Sequence, residues 1–206
     1  MPYAEMVIKK EHIELPGAQL DFLPQPDLGQ PASSLFDALR RDIEWRSESI
    51  TLFGKTMPQP RLIAWYGDAD AHYGYSGKRL APQAWTEALL AVRARLEGFA
   101  GTEFNSVLAN LYRNEQDSMG LHADDEPELG SRPVIASLSL GETRTFRLKH
   151  RTRRDIKPLK LELPSGSVLI MRGDTQQHWK HEIPKSRTPC GPRINLTFRL
   201  VRRGMA

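Results

Sequence analysis

A single cysteine, Cys190, in 206 residues excludes an intrachain disulfide framework and any metal site built from several thiolates, and it is compatible with a reducing compartment. No apolar run approaches the roughly 20 residues that a membrane-spanning helix needs. Met1 to Gly17 interrupts its apolar residues with Glu5, Lys9, Lys10, Glu11 and Glu14, so no signal-peptide core is expected there. Neither sign of charge dominates. The 29 Lys and Arg against 25 Asp and Glu leave +4, an excess too mild to identify a polyanionic partner by itself. These absences leave a soluble, cytoplasmic, monomeric protein as the expectation, with residues 31–206 as one domain behind an N-terminal arm over 1–30.

What is present differs between the two halves of the chain. Pro16, Pro24 and Pro26 break the first 30 residues into an extended arm. Ser34 precedes apolar residues at 35, 36, 39 and 43, which predicts a capped amphipathic helix. Ile50 to Lys55 reads as a strand entering a hairpin with Phe53 at its tip. Trp65 to Lys78, dense in Tyr, Gly and Asp, reads as a lid-like loop. Pro82 to Gly98 reads as a helix whose Trp85, Leu89, Val92 and Leu96 face the core. From Phe104 onward the pattern is strand after strand, over 104–112, 133–140, 143–150, 158–163, 167–172, 178–183 and 193–201, separated by turn signals such as Gly141-Glu142 and Pro164-Ser-Gly166. Short strands without intervening helices predict a sandwich or jelly roll, and the fold class is α+β, mainly β.

Three stretches carry chemistry. His122 and Asp124 lie at i and i+2, so an extended segment directs both toward one ion. The only other close histidine pair, His178 and His181, supplies a third ligand from one or the other. Two His and one carboxylate form a facial triad that suits non-haem Fe(II) and leaves positions open. In the strand over 193–201, Arg193, Asn195, Thr197 and Arg199 share one face. Two inward guanidinium groups call for anions, and a dicarboxylic acid fits. Arg144, Arg147, Lys149, Arg151, Arg153, Arg154, Lys157 and Lys160 form the densest basic stretch; with few acids between them, they are expected to contact phosphates.

Together His122-X-Asp124, a distant His before Pro, and Arg193-X-Asn195-Leu-Thr-Phe-X-Arg199 resemble the AlkB family of Fe(II)- and 2-oxoglutarate-dependent dioxygenases, over about Phe53 to Arg199. Leu52-Phe53-Gly54-Lys55, Tyr66-Gly67-Asp68-Ala69, Tyr73-Gly-Tyr75-Ser76-Gly77 and His122-Ala-Asp124-Asp125-Glu126 resemble the branch of homologues two and three, which act on alkylated DNA. The resemblance implies a double-stranded β-helix over 104–201, with helices and a nucleotide-recognition lid over 31–103. It implies iron ligands His122, Asp124 and His181, and 2-oxoglutarate held by Arg199 at its distal carboxylate and by Arg193 at its inner one. Asn110, Tyr112 and Asn195 would add hydrogen bonds. Tyr75 would stack on an extruded base, Tyr73 and Ser76 would line its pocket, and Asp125 and Glu126 would face its positive charge. Phe53 is read equally as a wedge entering the base stack or as a core residue.

The implied reaction removes N-methyl groups from bases of the 1-methyladenine and 3-methylcytosine type. It consumes O2 and 2-oxoglutarate and releases formaldehyde and succinate. Two other readings keep parts of this chemistry: an RNA or protein demethylase with the same iron site, and a non-catalytic basic module that binds nucleic acid.

Overall fold

Two antiparallel sheets face each other, and the chain passes between them repeatedly. The computed structural model describes residues 10–52, 55–71, 73–75, 78–80 and 82–202, without the side chains of 50–52, 55, 73–75 and 78–80. In chain order the elements are β1 (Glu11–Leu15), β2 (Ala18–Leu23), α1 (Ala32–Asp42), β3 (Ser49–Leu52), β4 (Lys55–Pro58), β5 (Leu62–Gly67), β6 (Tyr73–Tyr75), β7 (Lys78–Leu80) and α2 (Glu87–Ala100). There follow β8 (Ser106–Tyr112), β9 (Met119–His122), β10 (Ile135–Gly141), β11 (Arg144–His150), β12 (Leu159–Leu163), β13 (Val168–Arg172), the single turn α3 (Thr175–His178), β14 (Trp179–Ile183) and β15 (Arg193–Arg199). The larger sheet runs β1-β2-β13-β10-β15-β8-β5 and the smaller β12-β11-β14-β9. This is the expected jelly roll, and every strand called in the second half is present within a few residues of its expected bounds.

Period-two alternation on β15 builds the layers. Ile194, Leu196 and Phe198 point to one side, where they join Leu138 and Leu140 of β10, Leu35 and Leu39 of α1, and Leu89, Val92 and Leu96 of α2 in the first core. Arg193, Asn195, Thr197 and Arg199 point to the other, into the space between the sheets. A second core closes that space around them: Tyr112, Ile135 and Met171 of the larger sheet meet Phe146, Leu148, Trp179 and Ile183 of the smaller. Helices, larger sheet and smaller sheet thus form three layers, and β15 is buried on both faces.

Several local expectations are corrected. The extended arm over 1–30 gives way, from residue 11, to the β1–β2 hairpin, whose β2 pairs with β13 through Leu23↔Val168 and Leu20↔Met171. Ala18, Leu20 and Phe22 bury the inward side of β2. The turn works because Gly17 adopts φ 73 and a Cβ there would lie 2.7 Å from the ring of His178. Residues 1–9 lie outside the described residues. Ser34 is not a cap: α1 opens behind Pro31, whose φ of -58 and ψ of 137 set the entry, with no side-chain cap. Nor does α2 open at Pro82. Gln83 is tied instead to β5, its N–H donating to Trp65 O at 2.9 Å. Thr86 caps the helix by accepting from the Leu89 N–H at 3.3 Å. The helix continues through Gly98 to Ala100 and ends at Gly101 in the left-handed region.

The lid-like reading of 65–78 is also redrawn. Trp65 and Tyr66 belong to buried β5 beside β8, while β6 pairs antiparallel with β7, Tyr75 opposite Lys78. β3 pairs antiparallel with β4, Leu52 opposite Lys55. The calls on Phe53 and Ser76 fall outside the described residues, as do the side chains of Tyr73 and Tyr75.

Candidate active site

The three proposed ligands meet because β9 and β14 are neighbours in the smaller sheet. His122 stands directly opposite His181 in the register, with an irregularity just beyond it, and Asp124 follows β9 by two residues. The ligand-capable atoms of His122, Asp124 and His181 all lie within 4.8 Å of one another. His122 Nε2 is 3.8 Å from Asp124 Oδ1 and His181 Nε2 is 3.9 Å from Asp124 Oδ2. His178 is excluded as a ligand: it closes α3 and stacks against His150 with ring centroids 6.0 Å apart.

The surroundings fix each ligand. His122 Nδ1 lies 2.9 Å from Gly120 O; facing a carbonyl it carries the proton, which leaves Nε2 as the lone-pair donor toward the other ligands. The Asp124 N–H donates to Gln176 Oε1 at 3.0 Å, so α3 holds the backbone of the carboxylate ligand. Phe146 stacks on His181 at 5.3 Å. Burial, reinforced by His122, pushes the His181 imidazole down to about 3, so at neutral pH it is in the uncharged form that binds metals. Burial alone would raise the Asp124 carboxyl. Arg199 at 2.8 Å, aided by the two imidazoles, outweighs it and holds the group at about 2. Asp124 Oδ2 is buried without a hydrogen-bond partner. Such an orphan oxygen is costly unless something ligates it, and two neutral imidazoles with one carboxylate fit Fe(II).

Next to the ligands, the inner face of β15 and its neighbours β8 and β10 line a cavity. Opposite residues share a face, so Arg193 comes beside Tyr112 and Asn195 beside Asn110. Arg193 and Arg199 are the cavity's buried cations, and Arg193 stands away from the ligands. Its Nη2 donates to Ser139 Oγ at 2.9 Å and its guanidinium lies 5.1 Å from the Tyr112 ring centre, while Nε and Nη1 have no hydrogen-bond partner. Burial, opposed by Tyr112 and reinforced by Arg144, pushes Arg193 down to about 10; it remains charged at neutral pH and lacks an anion. Arg199 Nη2 donates to Asp124 Oδ1 at 2.8 Å, so its guanidinium lies beside the ligand group. Asn195 is satisfied by Ser137 Oγ at 2.8 Å, Leu138 O at 3.2 Å and the Thr197 hydroxyl at 3.0 Å. Asn110 Oδ1 accepts from Arg61 Nε at 2.8 Å.

Other site calls fare differently. Asp125 is exposed and forms an ion pair with Arg151, and neither it nor Glu126 lines the cavity. The basic stretch is not a uniform phosphate surface. Arg144 is buried and donates to the carbonyls of Asn114, Asp117 and Pro184 at 3.3, 2.9 and 2.6 Å. Arg147 pairs with Glu182 at 2.9 Å and Arg153 with Asp155. Sequence reasoning missed Gln176, Phe146, Ser137, Ser139 and Arg61. Only the strand alternation of 133–140 and 143–150 carried a signal, by placing the two serines and Phe146 on inward faces.

Comparison with known proteins agrees with this architecture. Residues 21–199 match the 2OG-Fe(II) oxygenase superfamily, so the similarity begins well before Phe53. The chain is 43% identical over 178 residues to Alpha-ketoglutarate-dependent dioxygenase alkB homolog 3 of Bos taurus, covering 82% of this chain and 62% of that protein. It is 38% identical over 179 residues to the DNA oxidative demethylase ALKBH2 of Mus musculus, covering 82% and 75%. The chain thus spans less than two thirds of the homolog 3 relatives and more of the other. The solved structure of OsALKBH1 superposes with a TM-score of 0.64 at 18% identity, over 93% of this chain and 100% of that one, a likeness of fold. The sheets that bring His122, Asp124 and His181 beside Arg193 and Arg199, and the extent of these matches, make the chain a member of the AlkB homologues within the 2OG-Fe(II) oxygenase superfamily.

Proposed function

We propose that this chain is an Fe(II)- and 2-oxoglutarate-dependent dioxygenase that acts as a monomer in the cytoplasm and removes N-alkyl groups from bases in DNA. The observation that carries the reading is the junction of an orphan carboxylate oxygen between two imidazoles with a buried, anion-deficient arginine in one cavity. The names of the relatives, alpha-ketoglutarate-dependent dioxygenase and DNA oxidative demethylase, supply the substrate class.

His122, Asp124 and His181 would hold the iron, which when bound supplies oxidation of a C–H bond by O2 at the cost of decarboxylating 2-oxoglutarate. Arg193 takes the distal carboxylate of the co-substrate. Its two unpartnered nitrogens form a fork suited to a carboxylate, and Ser139 and Tyr112 fix the plane of that fork. Arg199, joined to Asp124, serves the metal-proximal end, the reverse of the order expected from sequence. Asn195, occupied by Ser137 and Thr197, holds the strands in register around the co-substrate, and Asn110 is set by Arg61. Phe146 and Met171 line the same cavity with apolar surface, which limits water at the reacting end. An N-methyl carbon, once hydroxylated, leaves as formaldehyde: the C–N bond breaks and the hydroxyl proton passes to the base nitrogen.

Reconstitution with Fe(II), 2-oxoglutarate and O2 on an oligonucleotide carrying 1-methyladenine tests the reading. Loss of one methylene mass from the base with matching succinate is the expected result. Succinate with no base demethylation would move the substrate to RNA or protein, and absence of both products would remove the enzyme reading.

A further inference from the structure

Asp125 follows the ligand Asp124 directly, and in this structure its charge is already taken. Arg151 Nη2 reaches Asp125 Oδ2 from the loop between β11 and β12. That loop is held in place: the Arg151 N–H donates to His178 O at 2.8 Å, and His150 Nδ1 accepts from the N–H groups of Thr152 and Arg153 at 3.2 and 3.0 Å. The guanidinium also sits on a concave basic surface lined by Lys149, His150, Arg153 and Arg154. Among the described residues, Lys149 and Arg154 make no ion pair. Side-chain exposures of 29% for Arg151 and 49% for Asp125 leave both partners reachable from solvent.

We infer that Arg151 is a specificity-determining residue, which gives up Asp125 to a cationic base and takes a nucleotide phosphate in exchange. This rests on the base-demethylation reading above. While the pair is closed, a positively charged base gains little from Asp125, because its attraction is cancelled by Arg151. Opening the pair strands a guanidinium unless an anion meets it on the basic surface. A nucleotide brings both charges at once, the cation on the alkylated base and the anion on its phosphate, so only the two together replace what is broken. A partly exposed pair of this kind is worth no more than about five-fold in an equilibrium, weak enough for substrate to displace. The pair therefore disfavours bare alkylated nucleosides and any neutral base.

Binding separates this from simpler roles. The protein loaded with Mn(II) and 2-oxoglutarate is titrated with 1-methyl-2′-deoxyadenosine, with a trinucleotide carrying 1-methyladenine, and with the same trinucleotide carrying neutral 3-methylthymine. Arg151→Ala is expected to tighten the nucleoside about 2- to 5-fold, because its competitor is gone, and to weaken the 1-methyladenine trinucleotide about 3- to 10-fold. Its salt dependence should fall by about one counterion. Asp125→Asn is expected to weaken the 1-methyladenine trinucleotide, to change the nucleoside little, and to tighten the 3-methylthymine trinucleotide about 2- to 5-fold, because Arg151 is then free for its phosphate.

If Arg151→Ala weakens nucleoside and trinucleotide alike, the residue only supports the loop and the exchange is overturned. If the nucleoside is unaffected while the trinucleotide weakens, Arg151 is a plain phosphate contact and the exchange is again overturned. If the reconstituted wild-type protein does not demethylate the 1-methyladenine oligonucleotide, the base-demethylation reading falls first and the exchange with it, a result separate from either of the others.

Discussion

Arginines stand in two settings in this molecule, and the same residue type means different things in each. On the inner face of β15, Arg193 and Arg199 are sealed between two sheets; one lacks an anion and the other grips a metal ligand. On the outer strand and loop from 147 to 160 the cations are in contact with solvent, and several already hold a carboxylate. Burial multiplies the cost of an uncompensated charge, so the interior pair points to a ligand, whereas the exterior set has water to satisfy it. Arg144, which lies in sequence with the outer set, belongs physically to neither: it is buried and spends its donors on three backbone carbonyls.

The contrast is broken or sharpened by a graded set of changes. Asp124→Ala removes both the ligand oxygen and the partner of Arg199, and is expected to lower metal affinity by more than about 100-fold, beyond what loss of an outer-shell partner costs. Titration of the metal-free protein with Co(II), followed by absorption, measures it. Arg193→Met should leave metal binding within about two-fold and weaken 2-oxoglutarate by at least about 30-fold, since a desolvated charge pair loses a partner; calorimetry on the Mn(II)-loaded protein reads this.

Acidity sharpens the comparison through two histidines. His181 is held down to about 3 against an ordinary 6.5, so the unfolded chain takes up a proton before the folded one does. Metal-free protein should therefore lose stability as pH falls from 6.5 toward 3, by a few kcal/mol, and His181→Asn should flatten that slope in thermal melts. Asp124, lowered to about 2, adds a loss in the same direction below pH 4. Exposed His12 has the opposite sign. The carboxylates of Asp21 and Glu14 raise it, so its small contribution is full below pH 6.5 and fades as pH rises, a trend that His12→Ala should erase.

Arg144→Ala should cost about 2 kcal/mol in urea denaturation by orphaning the buried Asp117 carbonyl and leaving those of Asn114 and Pro184 without their donor. Arg154→Ala, on the solvent side, should stay within about 0.5 kcal/mol. A loss at Arg154 as large as that at Arg144 would erase the distinction between the two settings.

Sequence made the second half of the chain legible because buried strands with sharp turns leave a regular mark. Alternation over 193–201 is enough to put Arg193 and Arg199 on one face, and His122 with Asp124 needs only an extended segment. The first half was less legible for a physical reason: there, tertiary pairing overrides local signals. Pro16 and the scattered charges before Gly17 suggest an arm, yet β2 gains a whole neighbour in β13. Pro82 suggests a helix start, yet the Gln83 N–H is already committed to Trp65. Within the site, spacing left His178 and His181 open and the family resemblance chose His181, whereas Gln176, Phe146 and Arg61 act through contacts that no spacing encodes. The proposed order of the two arginines along the co-substrate, Arg193 distal and Arg199 beside the ligands, draws on the hydrogen bond between Arg199 and Asp124, a contact that strand spacing alone does not encode.

The double burial of β15 also constrains how the protein reaches this state. Shifting that strand by one residue against β8 and β10 would drive both guanidinium groups into the hydrocarbon beneath the helices and turn Ile194, Leu196 and Phe198 toward the polar cavity. Few mispairings are punished on both sides at once. The cations that await an anion in the finished protein thus also act as a proofreading key during folding, rejecting a slipped strand before any metal or co-substrate arrives.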